Sequence, residues 1–186
     1  MNPQLEQLQV ELNRASERVR ALSARVPEEH WNRRPEAERW SVAECIEHLI
    51  LTSEASVPPL RKALSGLKER SDGFSCRHRR DPLGWLIWKS QSEGGRMRSR
   101  TAERFVPRSA ASRAEMLKRW DRWQDELLGT LALADGLPLD GIKIPSAFNR
   151  RVKYNLFSAL SILAVHQHRH LGQAELAARR VVGAEA

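Results

Sequence analysis

Cysteine is scarce in this chain: two residues in 186, Cys45 and Cys76. That excludes a disulfide-stapled scaffold and a zinc site built from cysteine alone, and it fits a reducing compartment. Long apolar runs are missing as well. The longest, Leu156 to Val165, contains two serines and falls short of the ~18–20 residues that span a bilayer. The N-terminal MNPQLEQLQVEL carries Glu6 and Glu11, which does not read as a secretory signal. The expected location is the cytoplasm. Lysine is the third scarcity. Six of the 31 basic residues are Lys, so 25 are Arg, and the net charge is +8. Such a charge invites a nucleic-acid reading, but acids interleave with the cations. The densest cluster (Arg77, Arg79, Arg80, Arg96, Arg98, Arg100, Arg104) falls in an expected loop. A solvated basic surface is the better reading, and neither nucleic acid nor membrane is the expected partner.

The length suits one domain, residues 1–186. Leu5, Leu8, Leu12, Ala15, Val19, Leu22 and Val26 recur in steps of three and four, the seam of one helix face. Pro27 ends it. After a connector with Pro35, Ser41-Val-Ala-Glu44 reads as a capping box that opens a second helix. That helix runs through Val42, Ile46, Leu49 and Ile50, and Pro58-Pro59 is expected to kink or stop it. Residues 68–108 are irregular in pattern, with Trp85-Leu86-Ile87-Trp88 as a short apolar patch expected over the core. So long a loop has a topological use, because a long crossover lets its flanking helices run parallel. A third helix is expected from Ser112 to about Ala134, striped by Met116, Trp120, Trp123, Leu127, Leu131 and Ala134. Gly136 and Pro138 stop it. A fourth is expected from about Val152 to Val181, with Leu156, Ala159, Leu160 and Leu163 as its core face. No stretch alternates convincingly with period two. The pattern predicts an all-α fold, a four-helix bundle with a long crossover between helices 2 and 3.

The chemistry lies in the histidines. In the last helix the seam Ala159, Leu163, His166, His170, Ala174, Ala177 puts two imidazoles at i and i+4 on the apolar face. His168 points roughly 200° away from His166 and is expected to be exposed. Imidazoles on a core-facing stripe must be paired or must ligate something, and an i, i+4 pair can chelate one metal. His48, in WSVAECIEHL of the second helix, is the candidate third ligand, since Cys45 and Thr52 share its side of the helix. Three neutral imidazoles leave open positions, the plan of a catalytic site. Cys45 is a candidate extra ligand, although a small buried apolar role is commoner. His30 and His78 fall in expected connectors. Gln173 is placed to hydrogen-bond near the site, and Arg150, Arg151 and Arg169 to meet an anion. Glu44 is taken up by the cap, and Glu47 does not face the way His48 does. Trp120 and Trp123 suit the core or an interface.

RPEAERWSVAECIEHL (Arg34–Leu49) and HQHRHLGQAE (His166–Glu175) resemble the two signatures of the DinB-like superfamily, also called DinB/YfiT-like metalloenzymes. The resemblance covers nearly the whole chain. It implies an up-down-down-up bundle and a divalent metal (zinc, nickel or iron) on three histidines, which map to His48, His166 and His170. It further implies a thiol-dependent transferase or isomerase using bacillithiol, mycothiol or glutathione. The expected partner is then a small-molecule substrate, with a homodimer as an open reading. A metal-dependent hydrolase and a non-enzymatic, stress-related metal-binding bundle are the alternatives. Gly172 departs from the family, where a bulky aromatic is common, and that points to a differently shaped pocket.

Overall fold

The computed structural model describes residues 1–68, 77–92, 101–108 and 111–183. Its helices are α1 (Pro3–Arg25), α2 (Glu28–Trp31), α3 (Val42–Ser65), α4 (Pro82–Gln91), α5 (Arg113–Ala134) and α6 (Leu156–Val182). A 3-10 turn spans Glu103–Phe105, and two three-residue strands, β1 (Lys143–Pro145) and β2 (Lys153–Asn155), pair antiparallel with Ile144 opposite Tyr154. Among the described residues the architecture is all-α apart from that hairpin. Among the described residues, no helix is long and apolar enough to cross a membrane.

Local chemistry starts each long helix. Asn2, Ser41, Ser112 and Asn155 cap α1, α3, α5 and α6, each accepting a bond from a first-turn amide. At α3 the box is reciprocal: Ser41 Oγ accepts from the Glu44 amide at 3.1 Å, and the Glu44 carboxylate accepts from the Ser41 amide at 2.9 Å. Such caps satisfy amides that have no partner inside the helix, and each is worth about 1 kcal/mol. The seam from Leu5 to Val26 is buried as its spacing requires. α1 and α3 each pack against both α5 and α6, so the four long helices form a ring around two apolar clusters. One cluster centres on Leu5, Leu60, Leu131 and Leu160, the other on Leu22, Ile46, Trp120 and Leu171.

Four expectations are corrected. Pro58 and Pro59 neither stop nor end α3, which continues to Ser65. Both prolines face solvent, while Val57, Leu60 and Leu64 on the same turns are buried. Burial of that face outweighs the ~3 kcal/mol cost of a proline inside a helix. The last helix starts at Leu156 rather than Val152, because residues 153–155 are held in the hairpin and Asn155 serves as the cap. The crossover is not structureless, since α4 and the 3-10 turn lie within it. The Trp85–Trp88 patch splits: Ile87 and Trp88 pack on the core, while Trp85 and Leu86 are exposed. Trp120 is core, and Trp123 packs beside it at partial exposure.

α4 is docked on α6 through Asp81 and Gly84. The Asp81 carboxylate accepts from the Asn155 amide (3.2 Å) and from Ser158 Oγ (2.9 Å), and Lys143 lies 3.3 Å away. A Cβ on Gly84 would come within 2.3 Å of the Ser158 Cβ, so no side chain fits at this crossing. Gly84→Ala is expected to cost about 1–3 kcal/mol through overpacking. Tm should fall by roughly 2–4 °C per kcal/mol at this chain length, read by scanning calorimetry. An unchanged Tm would show that α4 does not seat against Ser158.

Candidate metal centre

His48 comes from the second turn of α3, and His166 and His170 come from one turn and the next of α6. Because α3 packs against α6, the three side chains meet. Each offers a ring nitrogen within 4.8 Å of the others, and they are the one such group of metal-ligating side chains among the described residues. Ring centroids are 4.4–5.1 Å apart. All three rings are largely withdrawn from water, and His170 keeps the most exposure at 9%.

One hydrogen bond fixes the protons. His48 Nδ1 lies 2.8 Å from the Phe105 carbonyl oxygen. A carbonyl can only accept, so Nδ1 carries the hydrogen and Nε2 keeps its lone pair. That Nε2 faces His166 Nε2 at 3.3 Å. Metal–nitrogen bonds of about 2.0–2.1 Å opened at the tetrahedral angle set ligand nitrogens about 3.3–3.4 Å apart. Nδ1 of His166 and Nδ1 of His170 are buried with no hydrogen-bond partner among the described residues, so no other protein group engages either nitrogen. The donor set therefore fits a divalent metal.

Burial sets the electrostatics. It pushes the His166 imidazole well below its ordinary range and His170 down to about 3, and the neighbouring rings and Arg169 add to the effect. His48 is lowered by the same desolvation, partly opposed by its bond to Phe105. The rings are neutral at physiological pH, the form that ligates metals.

The three histidines line a cleft of about 1290 Å³. Trp40 covers two of them, with ring centroids 4.9 Å from His48 and 5.9 Å from His170. Phe148, in the loop between β1 and β2, stands edge-on to His166 at 5.3 Å and packs on Phe105 at 4.8 Å. Gln173 also lines the cleft, and its amide partly opposes the lowering of the His170 imidazole. Arg169 lines it too and donates to the Ser90 carbonyl of α4 at 2.9 Å. At the mouth, Glu36 pairs with both Arg39 and Arg180.

The remaining candidates separate. Cys45 touches the cleft but is buried, and burial pushes its thiol up to about 12, so it stays protonated and outside the histidine group. Arg150 and Arg151 are exposed and do not line the cleft. Gly172 does not line the cleft, and a Cβ there would lie 3.8 Å from the Arg18 guanidinium of α1, so the departure falls on the α1 side and not on the cleft lining. His168 is not exposed as expected: Arg18 donates to its Nδ1 at 2.9 Å and its Nε2 lies 3.0 Å from Glu11, which ties α6 to α1. His30 lies in the short helix α2 rather than in a connector, His78 lies in a connector as expected, and both are buried, His78 stacking on Phe157 at 5.3 Å. Glu44 serves the cap as expected and also pairs with Arg34. Glu47 turns away to Arg119 of α5 at 2.9 Å. Phe105 and Phe148 were not legible in the sequence. Both sit in irregular segments, and their roles arise from where the chain returns, not from spacing.

A family model described as the DinB superfamily matches residues 11–174. The chain belongs to that superfamily. No curated protein and no solved structure matches it significantly.

The buried imidazoles give a pH dependence with a definite sign. Unfolded histidine protonates near pH 6.5, whereas His166 and His170 in the fold protonate far lower. Between those values the unfolded chain binds more protons, so stability falls as pH falls. In chelator-treated protein the urea midpoint should drop from pH 7 to pH 4.5, and less steeply in His170→Gln. Equal slopes would mean that His170 is not held neutral in the fold.

Proposed function

We propose that this chain is a divalent-metal-dependent enzyme that transfers a low-molecular-weight thiol to an electrophilic small molecule. His48, His166 and His170 hold the metal, which is zinc, nickel or iron. The observation that carries this reading is the set of three neutral imidazoles converging at the floor of an open cleft, with the lone pair of His48 turned inward by Phe105. In this reading the ring of long helices is an up-down-down-up bundle, one domain over residues 1–186, working in a reducing cytoplasm as a monomer or homodimer.

The metal, when bound, supplies Lewis acidity that favours the thiolate of the cosubstrate over its thiol. The chain's own residues do the rest. Phe105 keeps His48 in one tautomer. Trp40 and Phe148 wall the imidazoles off from bulk water, which strengthens electrostatic interactions inside the cleft. Arg169, beside His170, places a permanent cation where an anionic cosubstrate enters. Gln173 orients the His170 ring.

A metal-dependent hydrolase is the second reading, and three of the carboxylates near the site are engaged elsewhere. Glu44 is committed to the cap and Arg34, Glu47 to Arg119, and Glu36 to Arg39 and Arg180. None of these three is left as a base beside the histidines. A non-enzymatic metal-binding bundle keeps the site and loses the reaction.

The test is elemental analysis of untagged protein, followed by conjugation of bacillithiol, mycothiol or glutathione to a model electrophile. Wild type is expected to hold about one metal per chain, and His166→Ala to lose it together with turnover. Arg169→Gln is expected to raise KM for the anionic thiol more than it lowers kcat. Turnover of esters or amides without thiol would establish the hydrolase instead. Metal without either activity would establish the binding protein, and a wild type that takes up no metal would end both enzymatic readings.

A further inference from the structure

Phe105 belongs to the crossover, 57 residues from His48 in sequence, yet it touches the centre of the candidate site. Its ring is 1% exposed. It lies edge-on to His48 with centroids 6.4 Å apart, packs on Phe148 at 4.8 Å and carries the Arg104 guanidinium 4.7 Å above it. The short turn that presents it is closed by its own bonds, Phe105 amide to Ala102 carbonyl at 2.8 Å and Val106 amide to Glu103 carbonyl at 3.1 Å. A buried ring on a closed turn leaves the Phe105 carbonyl little freedom, and that carbonyl is the acceptor for His48 Nδ1–H.

We propose that Phe105 is a positioning residue: its anchored ring aims the carbonyl that holds His48 as the Nδ1–H tautomer with Nε2 turned toward His166, so the crossover sets the affinity of the metal centre. The metal part of this proposal rests on the functional reading above; the tautomer part does not. Two physical arguments connect them. An imidazole free to carry its hydrogen on Nε2 must rotate or change tautomer before it can ligate, which weakens binding. A ligated ring is in turn a stronger Nδ1–H donor, so metal binding tightens the hold on the turn. Coupling of this kind is reciprocal. Partners of ligating histidines commonly change metal affinity by about 10–100-fold.

The experiment uses the full chain as wild type, Phe105→Ala and Phe105→Leu. Histidine ring ¹⁵N shifts of metal-free protein report the tautomer. Wild type is expected to show a pyrrole-like Nδ1 and a pyridine-like Nε2 at His48, Phe105→Ala a mixture, and Phe105→Leu, which retains an apolar anchor, the wild-type pattern. Chelator competition with zinc is expected to give about 10–100-fold weaker binding in Phe105→Ala, with recovery in Phe105→Leu. Cobalt(II) in the same variants should show a changed visible spectrum in Phe105→Ala, which loss of packing alone would not produce. Wild-type affinity and cobalt spectrum in a folded Phe105→Ala would overturn the proposal. If that variant does not fold, wild type decides alone. His48 with its hydrogen on Nε2, or trypsin cleavage after the exposed Arg104 that zinc does not slow, would each overturn it. A wild type that takes up no metal while His48 keeps its Nδ1–H tautomer would end the functional reading and the affinity claim, and leave the positioning of His48 intact.

Discussion

Three imidazoles share one desolvated corner between α3 and α6, and much of the surrounding structure follows from the cost of keeping them there. Polar rings buried without partners are unfavourable, and charged ones more so. The fold resolves this by holding the rings neutral, by giving His48 a backbone acceptor, and by enclosing the cluster with Trp40, Phe105 and Phe148. Two inward nitrogens sit at the spacing that a tetrahedral ion prefers. The same burial that would destabilise the cluster at low pH leaves its rings neutral at neutral pH, the form that can ligate a metal.

Polar contacts elsewhere in the interior fix the register on which this corner depends. Gln124 of α5 and Gln167 of α6 exchange amide bonds at 3.2 and 2.8 Å, one residue from His166. Arg119 of α5 bridges Glu47 and Glu54 of α3, the first of them next to His48. His168, between Arg18 and Glu11, ties α6 to α1 two residues beyond His166. Apolar packing alone tolerates small slides between helices. Paired amides and half-buried polar contacts resist such slides, because a shifted partner leaves a polar group less satisfied. Each histidine of the cluster thus has a register-fixing neighbour adjacent to it in sequence or two residues away.

The irregular segments complete the site. The crossover delivers the Phe105 carbonyl to His48, and the loop of the small hairpin delivers Phe148 to His166. α4, seated by Gly84 and Asp81 on the start of α6, supplies the Ser90 carbonyl that holds Arg169 at the cleft. The helices provide the three histidines and the connections provide their surroundings.

The four long helices, the Ser41–Glu44 cap and the histidine pair on the last helix were legible in the sequence because each is written in local spacing. Leu5 to Val26 recurs at three and four, Ser41 and Glu44 stand three apart, and His166 and His170 stand one turn apart on a stripe that is otherwise apolar. His48 needed a further inference, the adjacency of two helices. Other features had no local signature. Pro58 and Pro59 are read correctly only once the burial of Val57, Leu60 and Leu64 is known, since intrinsic propensity favours a break there. His168 lies off the apolar stripe but is drawn in by Arg18 and Glu11 of another helix. Phe105 and Phe148 acquire their roles where segments far apart in the chain meet. Periodicity reports which face of an element is apolar. Which side chain meets which carbonyl across that face is decided by packing between elements, so the tautomer of His48, the walls of the cleft and the neutrality of its histidines belong to the tertiary structure alone.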